Sequence, residues 1–328
     1  MIQKIFDNMY KVEVPLPGNP LRSINSYVIK SEDRNLIIDT GFNMHECFEA
    51  LCIGLDELGI DMAKTDVLAT HFHADHTGLI SKIISDTSKV YMGRIDRELF
   101  IDIMIDEDKI WGFCERKFAR EGYPETELER TRLKNPARTL VSERLFDIVP
   151  LDDGDKISCG GMQWEVILTP GHTPGHICLY ESNHKILITG DHVLFDITPN
   201  ITWWWDLEDS LGSYLESLDK VYALEVKTAL TSHRSNDGVF RERVLEIKKH
   251  HSDRLSDVLD IIRENPYISG YDIASKMKWS IRVNSWEDFP PGQRWFAVGE
   301  AVAHVEHLVR KGKLRRHEVD GIGVYVIA

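Results

Sequence analysis

Sulfur is scarce and scattered in this chain. Five cysteines (Cys47, Cys52, Cys114, Cys159 and Cys178) make an odd number, and no two form a Cys-x-x-Cys pair. A disulfide framework and a thiolate zinc site are both disfavoured, and free, buried thiols in a reducing cytoplasm are the expectation. No run approaches the roughly 18 apolar residues of a membrane helix. The first residues, Met1 to Asp7, lack the apolar stretch and small-residue cleavage site of a signal peptide, so neither export nor a membrane partner is expected. Low-complexity segments, short-period repeats and a basic excess are absent too.

What is present suits a soluble globular protein with a large core: 42% hydrophobic and 28% charged residues. A length of 328 residues points to two domains. The net charge of -14 is unevenly spread. His251 to Ala328 holds 11 acidic and 11 basic residues, so the whole excess lies on the first 250 positions. An acidic body repels phosphate backbones at long range, although bound cations would reverse that sign locally. Nucleic acid is therefore a disfavoured partner.

Apolar runs alternate with amphipathic stretches in the first half. Strands are expected at Ile24–Ile29, Asn35–Asp39 and Asp66–Thr70, with helices over Met44–Leu58 and Gly78–Ser85. From about 93 to 149 the sequence turns charged and helix-forming, broken at Pro124, Pro136 and Pro150; it reads as a helical insertion that could act as a lid. Strands return at Trp164–Leu168, Ile177–Tyr180, Lys185–Thr189 and Thr228–Thr231, with a helix over Asp209–Tyr222. This is an α/β pattern of two layers facing each other. A helix over Arg241–Ile262 leads from a domain at 1–248 into one at 249–328. There, helices at Gly270–Met277 and Gln293–Lys311 precede a hairpin around Asp320-Gly321, the order of a winged-helix module.

The strongest chemical signal is Thr70-His71-Phe72-His73-Ala74-Asp75-His76-Thr77-Gly78. Four candidate ligands fall within six residues, directly after an apolar strand. Imidazole nitrogens and a carboxylate oxygen suit zinc, iron or manganese. A solvated His-rich loop is the alternative, and ligand density after a buried strand argues against it. One loop cannot close two metal sites, so distant ligands are required. Gly171-His172-Thr173-Pro174-Gly175-His176, Gly190-Asp191-His192 and Ser232-His233-Arg234 each follow a strand, where active sites gather in layered α/β folds.

His-x-His-x-Asp-His, then Gly-His-Thr-Pro-Gly-His, then Gly-Asp, then a late His resemble the metallo-β-lactamase superfamily in order and spacing, over roughly Ile24 to His233. The resemblance implies a four-layer αββα fold carrying the helical insertion and the C-terminal winged helix. It places His71, His73 and His172 on a first divalent ion and Asp75, His76 and His233 on a second, with Asp191 bridging. Zinc is expected ahead of iron or manganese. The carboxylate at Asp191 is similar to the glyoxalase II and lactonase branches rather than the antibiotic-degrading enzymes. His73 stands where the flavodiiron branch has Glu, which argues against oxygen reduction. Asp39 resembles the family's structural Asp behind the metal loop; plain turn-capping is the alternative. His176 is expected to be a buried, hydrogen-bonded histidine, and His192 either a substrate contact or a core residue. His45, His184, His250, His251, His304, His307 and His317 carry no motif. The segment Pro199–Val221 and the C-terminal module resemble the β-lactamase-like protein 2 subgroup, some members of which cleave single-stranded RNA while many relatives hydrolyse thioesters.

The implied chemistry is hydrolysis by a metal-bridging hydroxide, with Asp75 orienting it. A small-molecule thioester or ester is the leading substrate, and single-stranded RNA, cut by an endoribonuclease, is the alternative. His192, Val193, Leu194 and Phe195 follow Asp191 where lactonases of the superfamily place a Tyr, so lactone cleavage is disfavoured. Trp203, Trp204 and Trp205 offer either a pocket wall or packing against the insertion, as do Met104, Ile105, Ile110, Trp111 and Phe113. Arg310, Lys311, Lys313, Arg315 and Arg316 form a small basic cluster at the C-terminal hairpin, read as a solvated helix end or a phosphate contact. A homodimer through that module is expected by analogy.

Overall fold

The structure is a computed structural model that describes residues 1–280, 283 and 285–328. The first sheet follows chain order: β1 (Ile2–Lys4), β2 (Met9–Pro15), β3 (Ser23–Ile29), β4 (Asn35–Ile38), β5 (Thr65–Leu68), β6 (Val90–Gly93) and β7 (Ile148–Leu151). Pairing is antiparallel up to β4 and parallel from β4 onward. The second sheet contains β8 (Lys156–Cys159), β9 (Met162–Leu168), β10 (Ile177–Glu181), β11 (Ile186–Gly190) and β12 (Thr228–Thr231), in the order β12-β11-β10-β9-β8. A third, small sheet joins β13 (Ile268–Ser269), β15 (Ile322–Ile327) and β14 (Leu314–Val319).

The helices are α1 (His45–Glu57), α2 (Ala74–Thr77), α3 (Ile80–Ile83), α4 (Arg94–Ile105), α5 (Glu107–Arg120), α6 (Glu125–Lys134), α7 (Pro136–Thr139), α8 (Ser210–Tyr222), α9 (Phe240–Glu264), α10 (Gly270–Lys276) and α11 (Pro291–Arg310). Among the described residues no helix is long and apolar enough to cross a membrane.

Period-two alternation of strand side chains divides the core into layers. In β3, Tyr27 and Ile29 face the second sheet, while Ile24 and Val28 face α1. In β11, Ile186 and Ile188 face the first sheet, while Leu187 packs under α8 and α9. Strands buried on both faces read as continuous apolar runs, which is why β4, β5 and β11 are legible in the sequence. Helices α1, α3 and α4 cover one outer face and α8 and α9 the other. This is the expected four-layer αββα arrangement.

A separate core differs from a simple lid. Trp111 and Phe118 of α5 and Leu128 of α6 pack with Val258 and Ile262 of α9 and Trp295 and Val302 of α11. Helices α5 and α6 of the expected insertion thus share a core with the C-terminal helices and hairpin, while α4 stays on the first sheet, and α9 passes unbroken from one core to the other. The insertion also ends in a strand: Ile148–Leu151 pairs with β6 despite Pro150.

Candidate metal centre

Strand ends of the two large sheets meet at one edge. Beyond β5 the chain runs through Ala69-Thr70 into His71, Phe72 and His73, then turns as α2, which carries Asp75 and His76. His172 lies on the loop between β9 and β10, Asp191 directly after β11, and His233 just beyond β12. All seven sequence-expected ligands therefore converge. Six are buried and His73 is partly exposed.

Their ligand atoms form three overlapping groups: His71, His73 and His172; His71, His76 and Asp191; and Asp75, His76 and His233, each within 4.8 Å. His73 Nδ1 lies 2.9 Å from His71 Nε2 and 3.2 Å from His172 Nε2. His233 Nε2 lies 3.4 Å from Asp75 Oδ2 and 3.5 Å from Asp191 Oδ1. Donors about 2.0–2.1 Å from a tetrahedral ion stand about 3.3–3.4 Å apart, so these separations fit a shared cation. Asp191 turns its two oxygens to different groups: Oδ2 is 3.7 Å from His172 Nε2, and Oδ1 is 3.7 Å from His76 Nε2.

The opposite ring edges are held. His172 Nδ1 donates to the Asn200 carbonyl and His233 Nδ1 to the Ser23 carbonyl, both at 2.8 Å. His76 Nδ1 meets Asp39 Oδ2 at 2.8 Å, and His71 Nδ1 meets the Thr70 hydroxyl at 3.2 Å. Anchoring one ring nitrogen on a carbonyl or carboxylate frees the other for a metal. His76 Nε2, His233 Nε2 and Asp191 Oδ1 are buried without a hydrogen-bond partner. Three orphaned polar atoms facing one point are costly unless a cation sits there.

Electrostatics point the same way. Burial, reinforced by the neighbouring imidazoles, holds His71 well below its usual range and His73 down to about 3. Burial also lowers His172. These imidazoles are neutral, the form that binds metal. Around the second group burial is outweighed by carboxylates: Asp39, Asp75 and Asp191 raise His76, and Asp191 and Asp75 raise His233 to about 10. Burial would lift Asp75, yet His76 and His233 hold it at about 2. Buried carboxylates demand positive charge here, and a divalent ion can replace the protons.

Asp39 does more than cap a turn. It accepts the Thr70 amide at 2.8 Å, the Thr70 hydroxyl at 2.9 Å and the Ser232 hydroxyl at 3.0 Å, tying both sheets behind His76. His176 is buried and hydrogen-bonded, with Nδ1 on the Thr169 hydroxyl and Nε2 accepting the Asp191 amide. Gly190, at φ 52°, makes room for it: a Cβ there would stand 2.6 Å from His176 Nε2. His192 is a core residue, edge-on to Tyr214. The tryptophans divide their roles. Trp204 donates to the His172 carbonyl at 3.0 Å and lies near Phe72 and His73, while Trp203 and Trp205 flank Phe113. Sequence reasoning missed Asp96, Ser23 and Asn200. Asp96 lies in the first turn of α4 and accepts the Phe72 amide, linking to the His71–His73 loop.

An αββα sandwich with clustered imidazoles and carboxylates at one edge defines a class: hydrolases built to carry divalent metal. Residues 19–98 and 109–233 match the Metallo-beta-lactamase superfamily, and residues 288–328 match the Metallo-beta-lactamase-like, C-terminal domain. The chain belongs to the metallo-beta-lactamase superfamily. A Beta-lactamase-like protein 2 homolog from Caenorhabditis elegans is 25% identical over 288 residues, 86% of this chain and 81% of that protein. The human Acyl-coenzyme A thioesterase MBLAC2 is 29% identical over 225 residues, 66% of this chain and 75% of that protein. The crystal structure of a metallo-beta-lactamase family protein from Thermus thermophilus superposes with a TM-score of 0.84 at 25% identity, covering 99% of this chain and 100% of that one.

Proposed function

We propose that this chain is a dinuclear metal-dependent hydrolase of small-molecule thioesters or esters. His71, His73 and His172 hold the first ion, Asp75, His76 and His233 the second, and Asp191 lies between them. The observation that carries this reading is Asp191 itself, with one oxygen turned toward each group. The nitrogen and oxygen donors suit zinc, iron or manganese, and zinc is the ion we propose first. When bound, such a pair supplies a Lewis acid for a carbonyl oxygen and a water acidified toward neutral pH.

The chain's own residues do the rest. Asp75, held as a carboxylate, would accept a hydrogen bond from the attacking water and so orient it. Trp204 forms an apolar wall beside His73, and Trp203, Trp205 and Phe113 extend it outward, a surface suited to an acyl group. The human relative's name supports a thioester, and the acidic body disfavours RNA. The five free cysteines suit a reducing cytoplasm.

The test is turnover of acyl-coenzyme A and simple acyl thioesters by the purified full chain, beside single-stranded RNA. Thioester hydrolysis that disappears on chelation and returns with zinc is expected. Cleavage of RNA alone would overturn the substrate class, and undiminished turnover after complete metal removal would overturn the mechanism.

A further inference from the structure

The ring of His172 is fixed by a residue that answers to the C-terminal helices. Its Nδ1 donates to the main-chain carbonyl of Asn200 at 2.8 Å. The Asn200 side chain reaches across to α11, donating to Glu300 Oε2 at 3.1 Å and toward the Phe296 carbonyl at 3.4 Å. Glu300 is buried, and its Oε1 accepts Arg254 Nε of α9 at 3.0 Å. Arg254 is fixed in turn: it donates to the Lys278 carbonyl at 2.6 Å and lies 4.0 Å over the Trp279 ring. A buried pair with every contact made is rigid, and removing one member leaves the other uncompensated.

We propose that Glu300 and Arg254 are positioning residues of the metal centre, acting through Asn200 to aim His172 at the first ion. The inference rests on the metal reading above. It gives the C-terminal helices a role in the site, because they complete the support of a ligand carried by the first 200 residues. Partners behind a ligating imidazole typically govern metal affinity by about 10- to 100-fold. Loss of this tether acts on the ion held by His71, His73 and His172. The ion held by Asp75, His76 and His233 is backed by Asp39 and Ser23 and keeps its affinity.

The experiment uses the metal-stripped full chain titrated with zinc against a chromophoric chelator, with cobalt absorption as a second readout of geometry. Asn200→Ala leaves the Arg254–Glu300 pair intact, so it tests the tether without exposing a buried charge. Asn200→Ala and Glu300→Ala are each expected to weaken one of two zinc ions about tenfold and to change the cobalt spectrum. The double variant should do no more than either single one, and Glu300→Gln, which keeps an acceptor, should recover most of the loss. Wild-type affinity for both ions in Asn200→Ala and Glu300→Ala overturns the proposal, as does an equal loss of both ions. A wild-type chain that binds no zinc would instead remove the metal reading, and this inference with it.

Discussion

The Asp96 carboxylate accepts the Thr173 hydroxyl at 2.6 Å, and through that contact the start of α4 grips the loop bearing His172. Asp96 also accepts the amides of Gly175 at 2.5 Å and Phe72 at 3.2 Å. One buried carboxylate thus staples together the two loops that carry His71, His73 and His172.

Asp96 makes a pH-dependent contribution of definite sign. Burial pushes it up to about 7, against the pull of the Thr173, Gly175 and Phe72 donors. A folded value above the unfolded one means the folded state favours the proton. The contribution is complete below about pH 4 and fades as pH rises through 7. Relative to Asp96→Asn, metal-stripped wild type should lose roughly 3–4 kcal/mol between pH 4 and 8. Denaturant melts of both proteins across that range measure it, and a flat difference would show that Asp96 ionises as an ordinary carboxylate.

The ligands were legible because each stands in a dense motif at the end of an apolar strand. The residues that aim them were not. Asp96 meets Gly175 across 79 positions and Asn200 meets Glu300 across 100, distances at which no spacing rule operates. Asp39 was readable because it sits at a strand end of its own. The strands show the same divide. β4, β5 and β11 are buried throughout and stand out, whereas β2 is a partly exposed strand of mixed polarity, and Pro150 disguised β7. The shared core of the insertion and the C-terminal helices was hidden because amphipathic helices announce an apolar face without naming what covers it.

Asp39→Asn separates charge from shape. Asp39 adopts φ 60°, a left-handed conformation that Asn tolerates, so the backbone survives the change. The carboxylate behind His76 Nδ1 is lost. Affinity for one of the two ions should fall about 10- to 100-fold while the other is retained. Zinc titration of the stripped protein checks this, and two unchanged affinities would reduce Asp39 to a structural role.

Gly175→Ala tests how closely the His172 loop lies on α4. An added Cβ would stand 2.2 Å from the Asp96 amide nitrogen and 2.8 Å from its Oδ1, so backbone must move. A loss of about 2–3 kcal/mol in chemical denaturation is expected. Gly292→Ala is the control: its Cβ would meet nothing within 4 Å, and its effect should stay within about 0.5 kcal/mol. Equal stabilities for the two variants would show that the loop yields easily.

Phe118→Ala probes the union of α5 with the C-terminal helices. The Phe118 ring meets Trp295 edge-on at 4.4 Å and is buried in the core that also holds Val258, Ile262 and Val302. Truncation leaves a cavity whose walls belong to α5, α9 and α11, at a cost of about 3–5 kcal/mol. Because the inter-sheet core lacks this residue, the damage should be local. Hydrogen exchange should accelerate in α10, α11 and the second half of α9, while β4, β5 and β11 keep their protection. Exchange that rises equally in both large sheets would mean the two cores unfold as one unit.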